Sequence, residues 1–490
     1  MMNTSQYQTA RKSRDSRYDG VFFVGVNSTG IFCRPICPAP LPKEKNVSYF
    51  RSAAEAVEAG LRPCKRCRPE LALDMAHWHI SEQLLRVAVQ RIHSGYLDHH
   101  SLDELAADLG ITSRHLRRLF TDSLGASPLK IDLARRLLMA RRLLLETPMK
   151  VTDIALTSGF NSVRRFNDAF RRFYQYPPRE LRKATETSDT SKELTLTLSY
   201  RPPLDWRALL GFYRERAMSP LEEIHGDTYL RSFRTSSGYS YYRLSPIKGK
   251  HQLRLELGNC QTVLLPELIT RVRRQFDLDS DILTIHEHLS NCPILKPVIE
   301  RHPGLRLPGS FEPFETAVRA VIGQQISVRG CTTILNRVIA RTQQHFNHPE
   351  SGFPTPLELL ELPLDNIGMT QSRIDTLRRL SKAIIDGQLS FSDSIHPEQL
   401  NEQLLRIKGI GPWTADYIAF RGMGFIDCMP FGDLGIRKAL KTLRTDAEIM
   451  TDKLPSEAAI KNYSELWQPF RGYAALLLWQ SLTDETHQDA

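Results

Sequence analysis

Four cysteines near the start of this 490-residue sequence carry its sharpest chemical signal. Cys33 and Cys37 stand in the stretch Gly30-Ile-Phe-Cys-Arg-Pro-Ile-Cys-Pro-Ala-Pro40, and Cys64 and Cys67 follow after 26 intervening residues. Two close pairs of thiols match a tetrahedral Zn2+ site, because a close pair presents two sulfurs from one turn. A disulfide staple is the least expected use. The N-terminus, MMNTSQYQTARKSRD, has no apolar core of a secretion signal, and in a reducing compartment thiols persist as thiols, ligands or nucleophiles. A zinc that only folds the segment and a zinc whose ligand also reacts both fit the spacing. The neighbouring Arg34, Lys65, Arg66 and Arg68 offset the net negative charge of Zn2+ with four thiolates and are suited to gripping phosphate.

A second signal lies in Arg406-Ile-Lys-Gly-Ile-Gly-Pro-Trp-Thr-Ala-Asp-Tyr417, where Gly409 and Gly411 fall between two helical runs. In a helix-hairpin-helix, glycines let the backbone approach DNA and turn its N–H groups toward a phosphate. Alone, the same pattern reads equally well as a tight interhelix turn with no ligand.

The elements that must position these residues divide the chain. Length alone predicts roughly three or four domains. Residues 1–77 are turn-rich and poor in apolar material outside Val21–Val24 and Val47–Phe50, so they need a cross-link to fold. Helical periodicity occupies 78–183, and a polar run at 184–192 reads as a linker. Alternating stretches at Leu194–Tyr200 and Gln252–Leu257 predict strands in an α+β domain over 193–303, after which helical patterning runs through 304–490.

The formal charge is +10, and residues 1–190 hold all of the excess, with 30 Lys and Arg against 20 Asp and Glu. A basic half joined to a neutral half points to a polyanion, nucleic acid first. With no apolar run of roughly 18 residues, a cytoplasmic protein without membrane partners is expected.

Within 78–183, Ser101–Phe120 reads as a helix, a Gly-containing turn and a second helix capped by Ser113, which is helix-turn-helix grammar. A second unit spans Val151–Phe173. Its second helix is expected to bury Val163, Phe166 and Phe170 while Arg164, Arg165, Asn167 and Arg171 point outward.

These motifs carry family resemblances. Thr29–Pro38 and Gly60–Pro69 resemble the N-terminal domain of the Ada adaptive-response family, over about residues 17–72. That resemblance implies that Cys33, Cys37, Cys64 and Cys67 bind Zn2+ and that Cys33 accepts a methyl group from a DNA methylphosphotriester, irreversibly. Phe166–Pro178 and Gly125–Pro128 resemble the AraC/XylS regulators. Two recognition helices in successive major grooves are then implied, with Ser113, Arg114, Arg117, Ser162, Arg164, Arg165 and Asn167 as DNA contacts and RNA polymerase as a further partner.

The hairpin together with Met429-Pro-Phe-Gly-Asp-Leu-Gly-Ile-Arg-Lys438 resembles the helix-hairpin-helix superfamily of base-excision glycosylases. Tyr200–Trp206, Leu305–Gly309, Phe314–Val328 and Trp467–Trp479 narrow the resemblance to 3-methyladenine DNA glycosylases of the AlkA type. It implies Asp433 as the catalytic carboxylate, Gly409 and Gly411 as DNA contacts, Phe212, Trp413, Tyr417 and Trp479 as pocket walls, and Gln325 as the wedge that fills the gap left by a flipped base. The best-known relative has an apolar residue at the wedge. Bifunctional relatives carry a lysine where this chain has Trp413, so a monofunctional enzyme is implied, one that leaves the abasic strand intact.

The chemistry required is modest. An N-alkylated purine is cationic and leaves readily, so a carboxylate near C1′ can stabilise the oxocarbenium-like sugar while water completes hydrolysis. An aromatic face contributes about 2 kcal/mol to holding a desolvated cationic base.

The expected architecture is multidomain: a small α+β zinc domain, an all-α double helix-turn-helix domain, an α+β AlkA N-terminal-like domain and an all-α helix-hairpin-helix glycosylase domain. The expected function is an alkylation response, in which methyl transfer to Cys33 activates a transcription regulator fused to a glycosylase. Double-stranded DNA, both alkylated and promoter, is the expected partner. The alternative is a regulator whose glycosylase-like half binds DNA without catalysis. No Pro-Cys-His-Arg motif of O6-methylguanine transfer occurs, and Cys260, Cys292, Cys331 and Cys428 read as structural.

Overall fold

A computed structural model of the chain describes residues 4–15, 18–69, 72, 83–183, 194–235, 238–350, 352–392, 395–443 and 454–488. The linker expected at 184–192 lies outside the described residues. The chain forms two compact units, one of Met1–Pro202, Ser240–Arg273 and Leu278–Ser280, the other of Pro203–Tyr239, Arg274–Asp277 and Asp281–Ala490. Among the described residues no helix is long and apolar enough to cross a membrane.

The first unit begins with a four-stranded sheet in the spatial order Val47–Phe50, Phe23–Val26, Ile31–Cys33, Arg62–Pro63. The first three strands pair antiparallel, whereas Ile31–Cys33 and Arg62–Pro63 run parallel with Phe32 opposite Pro63. That register sets Cys33 beside Cys64 across a span the sequence leaves open. The apolar support is thin, as expected: Phe23, Phe32, Ala53, Ala56 and Leu61 form one small cluster, and Phe22, Val24 and Ala10 another.

Two helix pairs follow, Leu102–Asp108 with Ser113–Leu124 and Val151–Thr157 with Val163–Tyr174. The 19-residue helix Pro128–Glu146 lies between them in sequence and packs against both. Its Arg135 and Arg136 pair with Asp98 and Asp132, and the Arg136 guanidinium also donates to the backbone oxygens of Leu97 and Gly159. These arginines thus tie the turn Tyr96–Asp98 and the turn at Gly159 to one long helix.

Two sequence expectations change in detail. The cap of the helix Ser113–Leu124 is Thr112, whose hydroxyl accepts the His115 N–H, so Ser113 is the first helical residue. Val163 is only half-buried, because it opens its helix where the chain emerges from the turn; Phe166, Phe170, Phe173 and Tyr174 carry the packing. The second helices of the two pairs both end in a left-handed residue, Gly125 in one and Gln175 in the other.

The first unit also holds an antiparallel ladder in which Leu194–Ser199 pairs with Gln252–Gly258, and the latter with Gly238–Pro246. Alternation predicts Leu194–Ser199 and the middle strand Gln252–Gly258 of this ladder, and Leu196, Leu198, Leu253, Leu255 and Leu257 all face inward.

In the second unit, a hairpin of Glu222–His225 and Thr228–Thr235 accompanies a set of helices. Their shared core includes Val318, Val321, Leu335, Val338, Leu377, Leu380, Leu400, Leu404, Ile418 and Ala419. Ile410 enters this core from the Gly409–Gly411 turn and is 5% exposed, while both flanking glycines stay at the surface. A hydrophobic anchor thereby pins an otherwise glycine-rich turn.

Phe170 is fully buried and lies against Phe166, Tyr174 and Tyr176. Phe170→Ala should destabilise the helical part of the first unit by about 3–5 kcal/mol, measurable as loss of amide-exchange protection confined to the helices it joins.

Candidate functional site

Three groups of side chains require a functional account. In the first unit, Cys33 ends its strand, Cys37 follows a turn closed by its N–H on Arg34 O at 3.1 Å, and Cys64 follows the parallel strand, donating its N–H to Phe32 O at 2.9 Å. The four Sγ atoms lie within 4.8 Å of one another. None of the four residues is more than 9% exposed, so burial does not single one out.

Hydrogen bonding does. The backbone N–H of Arg34 donates to Cys67 Sγ at 3.3 Å, and the backbones of Ala39 and Cys67 donate to Cys37 and Cys64. Among the described residues no backbone N–H is seen donating to the Cys33 Sγ, which lies against the other three sulfurs. Hydrogen bonding to Cys37 first, then to the other two, and burial push the Cys33 thiol well up, whereas hydrogen bonding from Cys33 pulls Cys64 down. Four sulfurs so close cannot all ionise without a cation among them, and the set fits a soft dication such as Zn2+.

The basic residues around this cluster divide. The Arg34 guanidinium is buried and held by the Asp19 carboxylate and by Cys67 O. Arg68 pairs with Glu146 at 2.8 Å. Lys65, whose ammonium sits 4.5 Å from the centre of the Tyr176 ring, and Arg66 are exposed. Of the four cations near the thiols, two therefore face solvent and two hold the fold.

On the recognition helices Arg114, Arg117, Arg164, Arg165 and Asn167 are exposed. Ser113 is half-buried, and Ser162 is a helix cap, accepting the Arg165 N–H at 3.5 Å. The exposed arginines form the polar face opposite the buried phenylalanines.

In the second unit, Asp433 caps the helix Leu434–Leu443 through the Ile436 N–H, 2.9 Å from Oδ1. The indole N–H of Trp479 donates to the same oxygen at 2.9 Å, and that of Trp413 donates to Oδ2 at 2.8 Å. A carboxylate offers about four acceptor positions, so three donors leave roughly one for an outside partner. Sequence reasoning placed both tryptophans on the pocket wall, whereas their indole N–H groups hold Asp433 and, of the four expected wall aromatics, Phe212 and Tyr417 line the cleft; nothing in residue type reveals an indole's partner.

Trp413 stacks on Tyr417 with ring centres 5.3 Å apart and planes 17° from parallel. Tyr417 and Phe212 line a shallow cleft, partly open to solvent, with Arg216, Arg319 and Arg421. The Phe212 ring already engages two guanidinium groups, Arg216 at 4.0 Å and Arg421 at 4.4 Å. Burial pushes Arg421 down from the usual arginine range, and its guanidinium donates to Pro308 O at 2.8 Å. Deeper in the cleft Arg231 bridges Glu222 and Glu315, and burial pushes Glu315 up to about 8.

Gly409 and Gly411 are exposed in the turn between the helices Pro397–Leu405 and Pro412–Tyr417, and their N–H groups have no acceptor among the described residues. A Cβ at Gly411 would meet nothing within 4 Å, so the surface there is open to close approach. Gln325 is exposed in the turn after the helix Pro313–Ile322, with φ +56°.

Comparison with known proteins matches four family models along the chain. They are the metal binding domain of Ada at residues 6–70, a helix-turn-helix domain at 105–184, the AlkA N-terminal domain at 195–312 and the HhH-GPD superfamily base excision DNA repair protein at 318–469. The DNA-3-methyladenine glycosylase 2 of Escherichia coli is 30% identical over 58% of this chain and 96% of its own. The bifunctional transcriptional activator/DNA repair enzyme Ada of the same organism is 37% identical over 30% of this chain and 40% of its own. A probable bifunctional transcriptional activator/DNA repair enzyme AlkA of Mycobacterium tuberculosis is 33% identical over 98% of this chain and 96% of its own. With both the sensor-like and the glycosylase-like parts matched in one relative of the same length, this chain belongs to the family of bifunctional transcriptional activator/DNA repair enzymes of the AlkA type.

Proposed function

We propose that the chain senses and repairs alkylated DNA with two separate chemistries, carried by Cys33 and Asp433. The domains doing so are the zinc domain at 1–77, the regulator domain at 78–183, the AlkA N-terminal-like domain at 193–303 and the glycosylase domain at 304–490. The observation that carries the glycosylase reading is the Asp433 carboxylate, fixed by three donors with acceptor capacity left over.

At the thiol cluster, Zn2+ when bound keeps its four sulfurs as thiolates. Cys33 is the sulfur without a backbone donor, so its electron density is the least withdrawn. Its Sγ attacks the methyl carbon of a methylphosphotriester; the S–CH3 bond forms, the CH3–O bond breaks, and the electron pair stays on the phosphate as an anion. The cluster loses one negative charge, and its repulsion of the DNA backbone falls. Lys65 and Arg66 are the exposed cations placed to meet that backbone. Arg114, Arg117, Arg164, Arg165 and Asn167 then read promoter DNA, and the regulator acts through RNA polymerase.

At Asp433, an N-alkylated purine rotated out of the duplex enters beside Trp413, Tyr417, Phe212 and Trp479. The C1′–N bond breaks and the base leaves with the bonding pair, the carboxylate stabilises the positive charge left on the sugar, and water adds at C1′ and gives up a proton to solvent. Gly409 and Gly411 offer their free N–H groups to a phosphate, and Gln325 occupies the gap in the duplex. Trp413 cannot form a Schiff base, so the strand stays uncut.

Four measurements test this. Asp433→Asn should abolish release of methylpurines from alkylated DNA in protein that still folds, as circular dichroism checks, even though its amide N–H2 meets one indole donor and lowers the melting temperature; retained release would overturn the catalytic assignment and favour a DNA-binding module. Trp479→Phe keeps a ring and removes one donor to Asp433, so single-turnover excision should fall by about tenfold, the equivalent of one charge-assisted hydrogen bond. After incubation with methylphosphotriester DNA, peptide mass spectrometry should find one methyl group on Cys33 alone, and chelating the metal beforehand should prevent it. Footprints on promoter DNA should strengthen after that transfer.

A further inference from the structure

The sequence carries two consecutive glutamines, Gln324 and Gln325, in the turn between the helices Pro313–Ile322 and Val328–His345. Both are polar and flexible, and residue type does not tell them apart. Their surroundings differ completely. Gln325 is exposed, whereas the Gln324 side chain turns back into the protein. Its Nε2 lies 3.0 Å from Gly409 O and 3.0 Å from Thr414 Oγ1, so both amide protons are donated to the hairpin and to the helix that follows it.

The same turn is held from its other side. The Arg373 guanidinium donates to the backbone oxygen of Gln324, and Arg373 belongs to the helix Gln371–Ile385. That helix also supplies Arg379, which donates to Lys408 O at 2.8 Å, and Thr376, whose hydroxyl approaches the same oxygen at 3.4 Å. The carbonyls of Lys408 and Gly409 are thus both engaged inward. Because a trans peptide points its N–H opposite to its C=O, fixing Lys408 O inward aims the Gly409 N–H outward.

We propose that Gln324 is a positioning residue, whose amide clamps the turn bearing Gln325 to the phosphate-gripping hairpin so that both meet the duplex at one fixed spacing. This rests on reading the second unit as a base-flipping glycosylase with Gln325 as its wedge. The physical reason is distance: a wedge helps only if it enters the stack at a set offset from the held phosphate, and a loose turn spends the wedge's contacts on its own ordering. The left-handed backbone at Gln325, φ +56°, is a conformation that a non-glycine residue keeps only when its surroundings impose it. Gln324 supplies part of that imposition from one residue away.

The test uses the full chain and two duplexes carrying one 7-methylguanine, paired with cytosine in one and opposite a stable abasic analogue in the other. Flipping is costly in the first and nearly free in the second, so the ratio of single-turnover rates reports the wedge, and a merely structural or chemical defect lowers both rates alike. Gln324→Glu has the same size and no N–H donors; it should lower the paired-to-unpaired ratio by about tenfold or more, as expected for two lost hydrogen bonds. Thr414→Val removes one acceptor and should lower the ratio less, in the same direction, which covers the case of a poorly folded Gln324→Glu. Gln325→Ala is the reference. If it lowers the ratio and neither clamp variant does, the clamp is wrong and the wedge stands. If Gln325→Ala leaves the ratio unchanged, the wedge reading falls and the clamp falls with it.

Discussion

The second unit is organised around the need of one half-buried carboxylate for donors. Asp433 takes hydrogen bonds from three separate pieces of chain: the helix it caps, the hairpin helix through Trp413, and the final helix through Trp479. Each bond also fixes its donor. The Trp413 ring, held at Nε1, presents a face to Tyr417, and the aromatic wall inherits its orientation from the carboxylate. On the proposed reading of Asp433 as the catalytic carboxylate, this clasp supplies a charge that does not have to reorganise as the reaction proceeds.

The first unit solves a different problem, that of holding together a domain with little apolar core. Arginines take the part of missing hydrophobic contacts. Arg34 is buried against the Asp19 carboxylate beside the thiols, and the backbone oxygen of Asp19 accepts from the Arg201 guanidinium at 3.2 Å. Arg68 reaches Glu146, which also accepts the Thr197 N–H at 3.0 Å. Buried ion pairs of this kind add little net stability, but they tolerate only one geometry. The thiol region is therefore tied through side chains to the helical region and to the strand Leu194–Ser199 within a single compact unit. Charge at the cluster is one step removed from elements that lie far along the sequence.

Much of this was legible beforehand. The spacing of Cys33, Cys37, Cys64 and Cys67 indicated a metal site, alternation marked the strands at Leu194–Ser199 and Gln252–Gly258, and periodic phenylalanines marked the recognition helices. Such signals are local, set by a turn or by a repeat of two or 3.6 residues. Other features left no trace. Arg34 and Arg68 looked like phosphate ligands and are structural, because nothing local distinguishes an arginine with a buried carboxylate from one facing solvent. Ser113 had a capping residue's chemistry, yet Thr112 beside it has the same chemistry and occupies the cap.

The sequence by itself determined which chemistries are present: thiols in metal-binding pairs, a glycine turn suited to phosphate, a carboxylate and aromatic rings without the lysine of a lyase. Tertiary structure decided which copy of each residue type does what. It made Cys33 the sulfur without a backbone donor, gave both tryptophans to Asp433, and sent Gln324 inward while leaving Gln325 outside. The reason is that composition and spacing fix what bonds a side chain is able to make, while the bonds it does make depend on partners brought from tens or hundreds of residues away, by a register or a helix crossing that no short stretch encodes.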